Sequence, residues 1–251
     1  MKDATTSSLE LLWGTGDRPS RGPKPGLTLD RIVTAAVGVA DTEGLDAVSM
    51  RRVATELGVG TMSLYRYVPG KTELLDLMLD RVQGESFEGD PPPPTHWRDT
   101  VEQLARSYRE LYRSHPWLLR VNQARSVLGP STLRGLDLCL SGLKGPHGMG
   151  LSDPETIGVI IAVQNYVVGV ARMEIQAVEA AKETGVDDEE FWKRQHPFLE
   201  RAMASGDYPH MAALAEDTFS HDVDHFAFGL ARLLDGFEVL VSGGAGGASR
   251  R

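Results

Sequence analysis

Along the chain apolar residues recur at the 3.6-residue spacing of a helix, and two-residue strand alternation is absent throughout. Leu29, Ile32, Val33, Ala36, Val37 and Ala40 lie at i, i+3, i+4, i+7, i+8 and i+11, with Gly44 placed for a left-handed cap, which predicts a helix over 28–43. Ser49 is positioned to cap a two-turn helix whose inward face is Met50, Val53, Ala54 and Leu57, and Gly58 follows where the chain must turn sharply. The next short segment, 61–67, has one strongly apolar inward residue, Leu64, and is closed by Pro69 and Gly70. A fourth helix after Lys71 carries Leu74, Leu75, Met78, Leu79 and Val82 on one face and fades at Gly84.

Four consecutive prolines at 91–94 read as a stiff connector, so 85–96 is expected to be a linker. Beyond it the pattern predicts helices near 95–114, 116–127, 130–143, 153–182, 188–205, 208–217 and 220–241. The two ends lack this pattern. Residues 1–27 finish in a basic, Pro- and Gly-rich run and read as a flexible arm, and the Gly-rich 242–251 reads as a disordered tail. The expectation is an all-α protein: a three-helix head at 28–84, with the fourth helix as its connector, followed by a larger helical body at 97–241.

Charge changes this picture by being uneven. The net charge is −9, yet residues 18–71 carry +3 and the remainder −12, so a mildly basic head sits on an acidic body. That excludes a protein that coats nucleic acid everywhere and suits local contact with an anionic polymer. The single cysteine, Cys139, rules out an intrachain disulfide or a CxxC metal pattern and suits a reducing cytoplasm. The most apolar stretch, 157–171, is 15 residues long and interrupted by Gln164 and Asn165. A bilayer span takes about 20, so a buried helix and no membrane contact are expected.

Two short helices around a tight turn, with a third behind them, form a helix-turn-helix, whose second helix lies in the major groove. A plain three-helix bundle has the same apolar period. The outward chemistry of 61–67 separates the two readings: Thr61, Ser63, Tyr65, Arg66 and Tyr67 supply hydroxyls and a guanidinium that packing does not require. Arg51 is placed to reach a guanine edge, and Lys71 joins a cation to the free N–H groups of a helix start, an arrangement suited to a phosphate. Arg18, Arg21 and Lys24 on the arm are candidates for the minor groove or simply solubilising charges.

The Arg-x-Val-Ala-x-Glu-Leu-Gly-Val run from Arg51 to Val59, the Ser-Leu-Tyr-x-Tyr-Val run from Ser63 to Val68 and Lys71 closely resemble the head of the TetR (tetracycline repressor) family. The resemblance implies that Arg51, Thr61, Met62, Ser63, Tyr65, Arg66 and Tyr67 face base edges or flanking phosphates, that Lys71 holds the backbone, and that Leu57, Val59, Leu64 and Val68 are core. Ser114-His115-Pro116-Trp117, the Leu151 to Glu155 run and the Phe228 to Phe237 run look like the C-terminal domain of the tetracycline-repressor subgroup. This implies a ligand-released repressor that binds a palindromic operator as a homodimer, pairing helices here at 154–182 and 221–241. It also implies a pocket for a small organic effector, for which Tyr108, Tyr112, Trp117, Asn122, Gln164, Asn165 and Met173 are candidate lining residues. In that subgroup metal-directed histidines stand where this chain has Asn122 and Asn165, which argues against a magnesium-chelated tetracycline and leaves a polyketide-like or other aromatic metabolite.

Other chemistry finds little support. His221 and His225 have the i, i+4 spacing of metal ligands, but no glutamate completes an HExxH arrangement and no third ligand is evident. No nucleophile elbow, P-loop or dinucleotide fingerprint is present, so neither an enzyme nor a cofactor is expected. The rival class is a helical module that binds a ligand or protein without DNA.

Overall fold

The computed structural model describes residues 3–14, 26–85, 96–121, 126–215, 218 and 224–247. Among them it contains α-helices joined by turns and two short 3-10 segments, with no strand. The expected arm contains a helix instead: α1 spans Ala4–Leu12, capped by Asp3, whose carboxylate accepts from the Thr6 amide at 2.9 Å. Nine residues are too few to hold a helix alone. Tertiary contacts supply what propensity lacks: Ser8 is fully buried and donates to Asp76 at 2.5 Å, Leu11 and Leu12 pack on the core, and the Trp13 indole donates to the Leu128 carbonyl. Arg18, Arg21 and Lys24 lie outside the described residues.

The head follows the apolar pattern closely. Helix α2 (Leu29–Glu43) starts on the Thr28 hydroxyl, α3 (Met50–Glu56) on that of Ser49, and α4 covers Thr61–Leu64. Gly44 ends α2 at φ 85 and ψ 164, a glycine conformation with extended ψ and not the left-handed cap expected. Ile32, Ala36, Val53, Leu64, Val68, Leu74 and Met78 are wholly buried, joining these helices to α5 (Lys71–Glu85) in one core.

The body is built on α6 (Trp97–Ser114), which lies along α8 (Asp153–Thr184), with α7 (Pro130–Lys144) against α5, α6 and α8 and α11 (His225–Gly247) against α6 and α8. Glu174 on α8 is gripped by Arg109 and Arg113 of α6 at 2.5 and 3.0 Å. Burial would raise its carboxyl, but the two guanidiniums overcome that and hold it below the usual range. One window of α8 is long and apolar enough to cross a membrane by length and composition, yet α6, α7 and α11 all pack on this helix.

Several expected elements are shorter or displaced. The helix expected over 116–127 is a 3-10 turn at Pro116–Arg120, after which Val121 is extended. The helix expected over 208–217 reduces to α10, Pro209–Ala212, which packs on α9 (Asp188–Ala204). The last helix continues to Gly247, through part of the expected tail. The proline connector, 91–94, lies outside the described residues.

Candidate nucleic-acid interface and effector cavity

The turn between α3 and α4 is a Schellman closure. Val59 N–H reaches the Ala54 carbonyl at 3.0 Å and Gly58 N–H that of Thr55 at 3.1 Å, with Gly58 at φ +65. This turn aims α4 away from α3 and sinks Leu64, its anchor, completely. The regular helix of this segment ends at Leu64, and the chain continues to Val68 as a tight turn. The amides of Tyr67 and Val68 both close on the Leu64 carbonyl, at 2.8 and 2.9 Å.

Around that anchor Met62, Tyr65, Arg66 and Tyr67 are exposed, Met62 by 76%, while Thr61 and Ser63 are half-buried and stand at the edge of the face. Leu57 and Val59, expected in the core, are half-buried too. Arg51 and Lys71 are exposed, and among the described residues neither they nor Arg66 form an ion pair. Arg52 is the opposite case. Glu43 at 2.5 Å and Glu56 at 2.8 Å hold its guanidinium, raising its pKa and lowering that of Glu43.

The second feature is a partly open cavity of about 270 Å³ bordered by α5, α6, α7 and α8, near the lower end of small-molecule sites. Seven leucines and isoleucines line it, with the polar groups Gln83, Thr100, Gln103, Ser107, Thr132 and Gln164 at intervals, and no charged side chain among the described residues takes part. Tyr108 and Cys139 also line it. Burial pushes the Tyr108 phenol up to about 12 and the Cys139 thiol up to about 11, so both stay protonated and can donate.

Of the expected lining residues, Tyr108 and Gln164 border this cavity. Tyr112 is core, its ring stacked on Tyr108 at 6.4 Å. Trp117 lies at the head–body junction, donating to Asp41 at 2.8 Å, while Asn165 is exposed and Met173 is 74% exposed on the outer face of α8. Gln164 is half-buried and lines the cavity, while its neighbour Asn165 is exposed and does not. Asn122 lies outside the described residues. The residues missed had a signal: Thr100, Gln103 and Ser107 are small or uncharged polar residues at i, i+3 and i+7 on the same stripe as Leu104, Tyr108 and Leu111.

Head and body meet through side chains as well as chain continuity. The buried His115 imidazole sits between Asp41 of α2 at 2.7 Å and Glu85 of α5 at 2.9 Å. Burial presses its pKa down, but the two carboxylates more than offset this and hold it above the ordinary value. No group of three or more metal-ligating side chains occurs among the described residues, and His221 lies outside them.

Residues 32–78 match the description "Bacterial regulatory proteins, tetR family", and residues 90–241 match "Tetracyclin repressor-like, C-terminal domain". The HTH-type transcriptional repressor DrrR1 of Streptomyces coeruleorubidus is 59% identical over 235 residues, covering 94% of this chain and 86% of its own. Apo ActR from Streptomyces coelicolor superposes with a TM-score of 0.69 at 32% identity, over 90% of this chain and all of its own. ActR in complex with actinorhodin gives a TM-score of 0.69 at 33% identity, over 86% of this chain and 97% of its own.

Proposed function

Since the chain belongs to the tetR family of bacterial regulatory proteins and carries a tetracyclin repressor-like C-terminal domain, we propose that it is a transcriptional repressor that holds a palindromic operator as a homodimer and releases it when a small organic molecule fills the cavity between α5 and α8. The reading face carries the proposal: Tyr65, Arg66 and Tyr67 stand exposed beside a fully buried Leu64, with Arg51 and Lys71 exposed and in no ion pair among the described residues. A packing element has no use for that arrangement, whereas base edges and phosphates do. In this reading 28–84 is the head, 97–241 the body, and the protein acts inside the cell, where the chromosome is.

The cavity supports the second half of the proposal. Apolar walls with scattered amides and hydroxyls and no charge suit a flat, largely uncharged aromatic molecule with carbonyl or hydroxyl groups on its rim. ActR holds actinorhodin, and a metabolite of that polyketide-like kind is the effector class proposed here. The apolar side chains left exposed on α8 and α11, among them Ile161, Phe228 and Val239, suit pairing with a second copy.

Selection of random duplexes by the purified protein, followed by footprinting across a salt series, tests the proposal. A palindromic site with salt-steep affinity is the expected result. Uniformly weak binding to every duplex would leave only a helical ligand-binding module. An effector that releases the site must bind the DNA complex more weakly by the same factor, because coupling is reciprocal.

A further inference from the structure

Helix α7 begins without a cap of its own. Its N-cap position is Gly129, which has no side chain, and Pro130 follows, so the amides of Ser131 and Thr132 need an acceptor from elsewhere. Asp80 of α5 supplies it. Its carboxylate, 7% exposed, accepts from the Thr132 amide at 2.9 Å, the Thr132 hydroxyl at 2.9 Å and the Ser131 amide at 3.3 Å. The fit is close: a Cβ on Gly129 would stand 2.3 Å from the Asp80 carboxyl carbon.

The two helices that Asp80 joins also contribute to the lining of the cavity. Gln83, one turn beyond Asp80, and Thr132, which Asp80 holds, both line it, as does Gly135 a turn further along α7. The other end of α5 carries Lys71 and follows directly on the reading segment. Among the described residues no cation pairs with Asp80. A buried carboxylate parted from its donors is strongly unfavourable, so α7 cannot leave α5 behind.

Resting on the repressor reading above, we infer that Asp80 is the positioning residue that couples the cavity to the head: it makes the start of α7 and the α5 lever move together. Coupling runs both ways, so operator DNA on the head must be felt at α7, which allows a test without knowing the effector.

The test is hydrogen exchange of peptides spanning 130–140, with and without the duplex that the wild-type protein selects. In the wild type, operator binding changes exchange there by about threefold or more, whereas in Asp80→Ala the change disappears while operator affinity stays within about threefold. Asp80→Asn, which keeps an acceptor oxygen, restores part of it. Gly129→Ala, which displaces the carboxylate sterically, and Thr132→Val, which removes one donor, reduce it and serve should Asp80→Ala fail to fold.

A merely structural role for Asp80 would move baseline exchange and stability but not the response to DNA. An equal response in the wild type and the variants overturns the inference and transfers the coupling to the His115 junction. No response in the wild type overturns it as well. Failure of the wild type to select any duplex removes the operator reading itself, a distinct result.

Discussion

Arg51 and Arg52 are neighbours in the chain with opposite surroundings, and the difference is chemical. Arg52 is held by two carboxylates, while Arg51 is exposed and pairs with none among the described residues. Arg51→Ala and Arg66→Ala should therefore each weaken operator binding by about 1 to 3 kcal/mol without lowering the melting temperature, measured by fluorescence anisotropy and thermal denaturation. Arg52→Ala should do the reverse, sparing affinity and lowering stability. His115 gives a pH prediction. Its folded pKa is raised, so its contribution to stability is complete below the ordinary imidazole value of about 6.5 and is lost as pH rises through the raised value. The melting temperature should fall across that range, and His115→Ala should flatten that part of the profile; an unchanged slope in the variant would refute the assignment to His115.

At the scale of elements, two glycines decide how helices meet. Gly58 has open space around it but φ +65, so Gly58→Ala costs backbone strain alone, about 1 to 2 kcal/mol, and should tilt α4 and weaken operator binding with it. Gly229 fails differently. A Cβ there would lie 2.3 Å from the Tyr166 hydroxyl, which donates to the carbonyls of His225 and Phe226, so Gly229→Ala should loosen α11 from α8 at a cost of about 1 to 3 kcal/mol by denaturant unfolding. The head helices were legible because each has its own stripe and stop signal, as Leu29 to Ala40 and Ser49 to Gly58 show. Helix α1 was not, because nine residues with one buried serine have no period strong enough to read.

The whole molecule is a helix-turn-helix head carried on an acidic helical body whose helices α8 and α11 leave apolar residues exposed. Phe228 at 60% exposure and Val239 at 74%, three turns apart on α11, do not line the cavity. Phe228→Glu with Val239→Glu should yield a monomer by analytical ultracentrifugation, with operator affinity reduced as the second half-site is lost. In the DNA-competent dimer the two reading segments should lie about 34 to 36 Å apart, one duplex turn, which a structure of the complex would measure.

Local pattern determined the helical class and the short helices of the head, because apolar period, caps and glycine turns act within a few residues and leave their marks in order along the chain. The cavity, the seat of α1 and the grip of Asp80 on α7 were decided only in three dimensions. Each depends on which side of one helix meets a residue some 50 or more positions away, and periodicity says which face is buried but not against what. Gln164 inside and Asn165 outside is that limit in its smallest form: two adjacent amides, one rotation apart, separated only by how α8 lies on α6.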